Sequence, residues 1–204
     1  MAEHTHDHDH DHQGEDEHVA GQVVEHDDAE RDAEREARRL VALAQIRMYG
    51  DPVLRMRAEP VEQVDDELRR MGDRMISLMH DADGIGLAAT QVGILRRFFV
   101  FRNDEDQVLV VNPTITSSSD ETEIDEEGCL SLGPVRVPVE RSLAVTLEGL
   151  DREGAPLRLE LEGIAARVAQ HELDHLDGTL IVQRTDPESR REALKLLRPR
   201  LALA

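Results

Sequence analysis

Gln170-His171-Glu172-Leu173-Asp174-His175-Leu176-Asp177-Gly178 carries two histidines four residues apart. On an α-helix that spacing points both imidazoles the same way, one turn displaced, so both can reach one ion while Glu172 sits beside them outside the coordination positions. This is the geometry for a metal-activated water with a neighbouring proton shuttle. Ile164 and Val168 extend the stripe toward the helix start, and Asp177-Gly178 ends it. A helix that merely carried two histidines would leave both imidazoles to be satisfied on an otherwise apolar face.

Such a centre needs a third ligand. The extended metalloprotease pattern would place a third His where this chain has Ile181, so that pattern does not apply. Two readings remain open: a carboxylate on a following helix, Glu188 or Glu192, as in a zinc peptidase, or the thiolate of Cys129, which leaves a fourth position for water. Cys129 stands in Glu127-Gly128-Cys129-Leu130-Ser131, and upstream lies Gly84-Ile85-Gly86-Leu87-Ala88-Ala89-Thr90-Gln91. The latter matches a Gly-x-Gly-x-x-Ala dinucleotide fingerprint on paper, but a helical pattern precedes it and no βαβ unit follows. A loop whose paired glycines let the main chain approach a ligand, with the Gln91 amide as donor, accounts for it better.

Working outward, the rest of the chain predicts an α+β domain. Val64, Leu68, Met71, Met75 and Leu78 fall at helical spacing, which predicts a helix over 65–80 capped by Asp65 or Asp66 and ended at Asp83-Gly84. Strands are predicted over 97–101 and 108–111, the latter closed by Asn112-Pro113, with 117–127 a connecting segment or edge strand. Alternating apolar residues over 143–147 and 157–161 around Asp151-Arg152-Glu153-Gly154 predict an antiparallel hairpin. A short apolar run, Leu180 to Val182, and a terminal helix over 187–197 follow.

The 204 residues hold 44 acidic and 24 basic side chains, a net charge of -20, which argues against broad electrostatic attraction to DNA or an anionic membrane. Half of that charge is local: residues 1–39 hold 14 Asp/Glu and four Arg, together with seven of the ten His. Residues 1–43 are therefore read as an acidic, His/Asp-rich tail, disordered and becoming helical from about Asp28, ahead of a catalytic domain over 44–204. With three Phe, one Tyr and no Trp, the core must be largely aliphatic and base-stacking platforms are excluded. No stretch reaches the ~20 apolar residues of a membrane span, no secretory signal is evident, and the single Cys rules out an internal disulfide, so a cytoplasmic protein is expected.

Taken in order, residues 84–91, 127–131 and 170–178 resemble the three motifs of the peptide deformylase family, GxGxAAxQ, EGCLS and QHExDHLxG, with similarity from about Ala44 to about Arg184. The resemblance implies antiparallel β-sheets packed around a central helix carrying the two histidines, with another helix in the N-terminal half and a C-terminal helix. It implies that Cys129, His171 and His175 bind one divalent metal ion, Fe2+ with Zn2+, Ni2+ or Co2+ as substitutes. Glu172 would act as general acid/base, Gln91 and the Leu130 N–H would hold the oxyanion, and Ile85, Gly86, Glu127 and Gly128 would bind substrate. The implied reaction removes the N-formyl group from the initiator methionine of nascent polypeptides as formate. The terminal helix, with Arg190, Arg191, Lys195 and Arg198, offers a surface for the ribosome. Two departures stand out: Arg167, where the family often has a pocket-lining residue, and Gly133-Pro134, where the Pro is displaced by one. Besides the zinc peptidase, a metal-storage or metal-sensing protein built on the His/Asp tract is the rival reading.

Overall fold

The computed structural model describes residues 17–104 and 106–201. The His/Asp tract of residues 4–12, expected to be disordered, lies outside the described residues. The chain divides into two units, Met1–Ala37 and Arg38–Ala204. In the first, the described residues belong to helix α1 (Glu17–Leu43), which is already helical eleven residues ahead of the expected start at Asp28. The second unit begins upstream of the expected Ala44, because Ala42 is buried in its core.

Helix α2 (Asp66–Asp81) takes its N-cap from Asp65, whose carboxylate accepts the Leu68 N–H at 2.8 Å. It buries Leu68, Met75, Leu78 and Met79, the face that its apolar period marks. Strand β1 (Gly86–Ala88) follows, then β2 (Phe98–Asn103) and β3 (Asp106–Ser118). Strand β4 (Thr122–Gly128) pairs with β5 (Arg136–Ser142) in a two-stranded sheet. Strands β6 (Ala144–Leu150) and β7 (Pro156–Glu162) form the expected hairpin and complete a five-stranded antiparallel sheet in the order β1-β2-β3-β6-β7. Helix α3 (Gly163–Leu176) carries the two histidines, and α4 (Pro187–Leu201) ends the described chain.

Strand β2 explains the layering. Phe98 to Phe101 are all fully buried, as a strand covered on both faces requires. Phe98 and Val100 pack with the α2 residues, while Phe99 and Phe101 pack with Ala166, Ala169 and Leu176 of α3. The large sheet is thus held between two helices. Truncating Phe99 or Phe101 to Ala removes about 3–5 kcal/mol of such packing. A third cluster joins Val137 and Val139 of β5 to Leu132, Ile181, Val182, Ala193 and Leu197, seating the small sheet against α4.

Two local expectations are corrected, and one apolar run gains a conformation. Strand β3 does not end at Asn112-Pro113 but runs through it on a register shift: Asn112 adopts φ 52°, and its amide accepts from Val61 N–H and donates to Val61 C=O, each at 2.8 Å. Ile164, assigned to the apolar stripe of α3, is 65% exposed, because it precedes the turn that reaches the sheet. The apolar run at Leu180 forms a single 3-10 turn, Ile181–Gln183. Gly133, ahead of the displaced Pro134, sits at φ 62°, ψ -126°, a conformation open to glycine and costly for other residues.

Candidate active site and metal centre

Helix α3 presents His171 and His175 toward the end of β4, where the extended backbone at Cys129 (φ -145°, ψ 132°) leads into a 3-10 turn, Leu130–Leu132. Cys129 Sγ lies 3.2 Å from His175 Nε2, and the two imidazole centroids are 4.9 Å apart. The ligand atoms of Cys129, His171 and His175 all fall within 4.8 Å of one another, the one such group of His, Cys, Asp or Glu among the described residues. A tetrahedron built on bonds of ~2.0–2.3 Å has edges of roughly 3.5 Å, so this set fits a divalent transition metal, and its borderline-soft donors suit Fe2+, Zn2+, Ni2+ or Co2+. Glu188 and Glu192, the rival third ligands, lie exposed on α4 outside that group, and Glu192 pairs with Lys195 at 2.7 Å.

The ligands are held from behind. His171 Nδ1 meets Glu127 Oε2 at 3.0 Å, which leaves Nε2 for the centre. Glu127 is buried and receives two bonds from Arg141, 2.9 and 3.0 Å, and one from Arg167, 2.9 Å. Arg141 also reaches Asp174 at 2.6 Å, and Asp174 in turn accepts from Arg184 Nε at 3.0 Å. Arg167 donates further to Val139 C=O and Glu123 C=O, both at 2.9 Å, tying α3 to both strands of the small sheet. Burial alone would raise the Glu127 carboxyl, but hydrogen bonds from His171 and Arg141 outweigh it and hold it at about 2.

Glu172 is treated oppositely. It is 3% exposed, and its Oε2 has no hydrogen-bond partner among the described residues. Burial pushes its pKa up to about 7; the His171 charge opposes the shift and the Glu127 charge adds to it. Gly86 forms the wall beside it: a Cβ on Gly86 would come 2.3 Å from Glu172 Oε1 and 2.8 Å from Val168 Cγ1. His175 Nδ1 is likewise buried and unpartnered among the described residues. In the metal-free chain burial opposes charge on both imidazoles. At His171 the bonds to Cys129 and Glu127 prevail and raise the pKa, while burial and the His171 charge lower that of His175.

Gln91, 1% exposed, completes the near side. Its Oε1 accepts from Ala88 N–H at 2.9 Å and its Nε2 faces Ser131 Oγ at 3.2 Å and Cys129 Sγ at 3.7 Å. Leu130 opens the 3-10 turn beside Cys129, where a main-chain N–H has no acceptor within its own turn. Thr90 Oγ1 donates to the His175 C=O at 3.2 Å, fastening the glycine loop to α3. The structure therefore gathers Gln91, Cys129, Leu130, His171, Glu172, His175 and Gly86. Ile85, half-exposed just ahead of β1, and Gly128, exposed beside Cys129, lie at the approach. Glu127, expected at the substrate, instead has both oxygens engaged by Arg141, Arg167 and His171.

Sequence reasoning missed Arg141, Asp174, Arg184 and Ser131. The signal for Arg141 was present: Val137, Val139 and Arg141 share one face of β5 by period-two alternation, so an arginine at the third inward position calls for a buried acid.

Comparison with known proteins agrees with this site. The polypeptide deformylase family model matches residues 43–191. The peptide deformylase of Thermotoga neapolitana is 50% identical over 156 residues, 76% of this chain and 93% of that protein. Peptide deformylase 1 of Corynebacterium glutamicum is 41% identical over 162 residues, 78% of this chain and 96% of that protein. Among solved structures, the Synechococcus elongatus peptide deformylase in complex with actinonin aligns with TM-score 0.71 at 41% identity, covering 74% of this chain and 83% of that one. The Thermotoga maritima peptide deformylase aligns with TM-score 0.68 at 49% identity, covering 70% and 97%. With the motif-bearing residues gathered at one centre and relatives matched over nearly their whole length, this chain belongs to the peptide deformylase family.

Proposed function

We propose that the chain is a metal-dependent hydrolase that removes the N-formyl group from the N-terminal formylmethionine of newly made polypeptides, yielding formate and a free amine. The observation that carries this reading is the convergence of Cys129, His171 and His175 beside a buried, unpartnered Glu172 carboxylate. A divalent ion bound there, for which we take Fe2+, supplies Lewis acidity and acidifies water at the site. Glu172, with its pKa near neutrality, accepts the proton of the attacking water and returns it to the leaving amine. The Gln91 amide and the Leu130 N–H donate to the oxygen that gains charge as the carbonyl carbon becomes tetrahedral. The Glu127–Arg141 pair holds His171 in one tautomer and orientation. Ile85, Gly86 and Gly128 offer main-chain groups to an extended peptide.

Assay of formyl-Met-Ala-Ser with coupled formate detection tests the proposal. Anaerobically prepared, Fe2+-loaded protein is expected to turn the peptide over, and Cys129→Ser to lose metal or activity. A Cys129→Ser protein that keeps both would return the reading to a peptidase. Metal analysis after anaerobic purification checks Fe2+ against Zn2+, Ni2+ and Co2+.

The site of action is taken to be the cytoplasm; among the described residues no helix is long and apolar enough to cross a membrane. Contact with the ribosome through α4 is supported by Arg190, Arg191 and Arg198, which face solvent while Ala193 and Leu197 anchor the helix. Reversing Arg190 and Arg191 to Glu leaves that anchor intact. Unchanged co-sedimentation with ribosomes would remove the contact.

A further inference from the structure

The Gln91 carboxamide is aimed at the centre, and a buried amide does useful work there only if it is held from flipping or rocking. Its two ends are chemically different: Oε1 only accepts, while Nε2 carries two donors. Ala88 N–H engages Oε1 at 2.9 Å, which fixes which end is oxygen. Ser131 Oγ faces Nε2 at 3.2 Å, and Cys129 Sγ lies on the same side at 3.7 Å. Ser131 is fully buried, and its own main chain is pinned because its C=O accepts the Tyr49 N–H at 2.8 Å. One Gln91 N–H is therefore taken by the hydroxyl, and the other falls to the Cys129 sulfur, a weak acceptor at 3.7 Å that an oxyanion formed beside it can displace.

We infer that Ser131 is a positioning residue of the reaction: its hydroxyl accepts one N–H of Gln91 and thereby aims the other at the developing oxyanion. The inference rests on the deformylase reading given above and on the oxyanion role of Gln91. Without the hydroxyl the amide keeps its Ala88 anchor but loses the second point that fixes its plane. Ground-state binding has no stake in that plane, so kcat falls while KM stays.

A double-mutant cycle on Fe2+-loaded protein with formyl-Met-Ala-Ser tests it. Gln91→Ala is expected to lower kcat by about a hundredfold. Ser131→Ala, which removes one oxygen and introduces no clash, should lower kcat by about tenfold, the scale of one buried hydrogen bond, with KM and metal content held. The double variant should be no slower than Gln91→Ala alone. Independently of turnover, the side-chain amide protons of Gln91 in a Zn2+-loaded, 15N-labelled sample should be protected from solvent exchange in the parent chain and lose that protection in Ser131→Ala. Multiplying effects in the double variant, or unchanged Gln91 protection, would overturn the role of Ser131 while leaving the deformylase reading intact. Full activity of Gln91→Ala would instead overturn the oxyanion role beneath it.

Discussion

Glu127 and Glu172 stand on opposite walls of one centre, both carboxylates and both buried, and the chain treats them in opposite ways. Glu127, on β4, is saturated by Arg141 of β5 and by Arg167 and His171 of α3, and is held ionised at about 2. Between α3 and the Gly86 wall of β1, Glu172 is buried with Oε2 unpartnered among the described residues, and burial brings its pKa to about 7. Partners fix a carboxylate as a piece of geometry; their removal frees it to exchange a proton. The difference lies in what surrounds each group, since the side chains are chemically identical.

The largest expected effect breaks the free wall. Glu172→Ala should keep its metal and lose on the order of 10²–10⁴ in kcat; near-normal turnover by a metal-loaded variant would sink the assignment. Stability against pH sharpens the contrast in metal-free protein. Glu127, with its folded pKa depressed to about 2, contributes stability that is present above about pH 4.5 and lost as pH falls toward 2. Glu172, with its folded pKa raised to about 7, contributes stability that is full below about pH 4.5 and lost as pH rises through 7. Glu172→Gln should therefore gain on the parent chain between pH 4.5 and 8 by up to roughly 3 kcal/mol in denaturant unfolding. Parallel curves would show that the carboxyl is not desolvated.

Breaking the fixed wall should cost affinity first. Glu127→Gln keeps the shape but removes the charge that orients His171, and metal titration is expected to show a loss of about 10–100-fold. Unaltered affinity would mean that Arg141 and Arg167 hold the wall without it. The smallest effect is expected from the first unit: removing residues 1–37 should leave kcat/KM on formyl-Met-Ala-Ser within about twofold, because every group invoked in the chemistry lies in the second unit.

What could be read from the sequence followed from the range of the interaction. His171, Glu172 and His175 were legible because their relation is one helical turn, and α2 because Asp65 and five apolar residues agree on one face. The β6–β7 hairpin was legible because its turn and both alternations lie within twenty residues. That Cys129 joins the histidines came from the resemblance, since the pairing spans 46 positions. Strand β5 escaped because Pro138 argues against a strand; opposite Glu126 on a two-stranded ribbon it is tolerated. The partners of the Glu127 side chain were out of reach for a related reason. A motif tells which residue stands beside Cys129, but only tertiary pairing tells that Arg141 and Arg167 occupy both of its oxygens.

The free strand edges carry a consequence for the chain in a crowded solution. A protein that receives an extended peptide must keep backbone edges able to pair, and such edges also invite copies of the same chain to zip together. Here β7 closes the large sheet with Pro156 and exposed Arg158, Glu160 and Glu162, while β4 carries exposed Glu123, Asp125 and Glu126. Like charge along β4 makes pairing of its edge with the same edge of another copy repulsive, while Pro156 removes a donor from β7. The acidity of β4 thus acts as a gatekeeper that turns away its own kind.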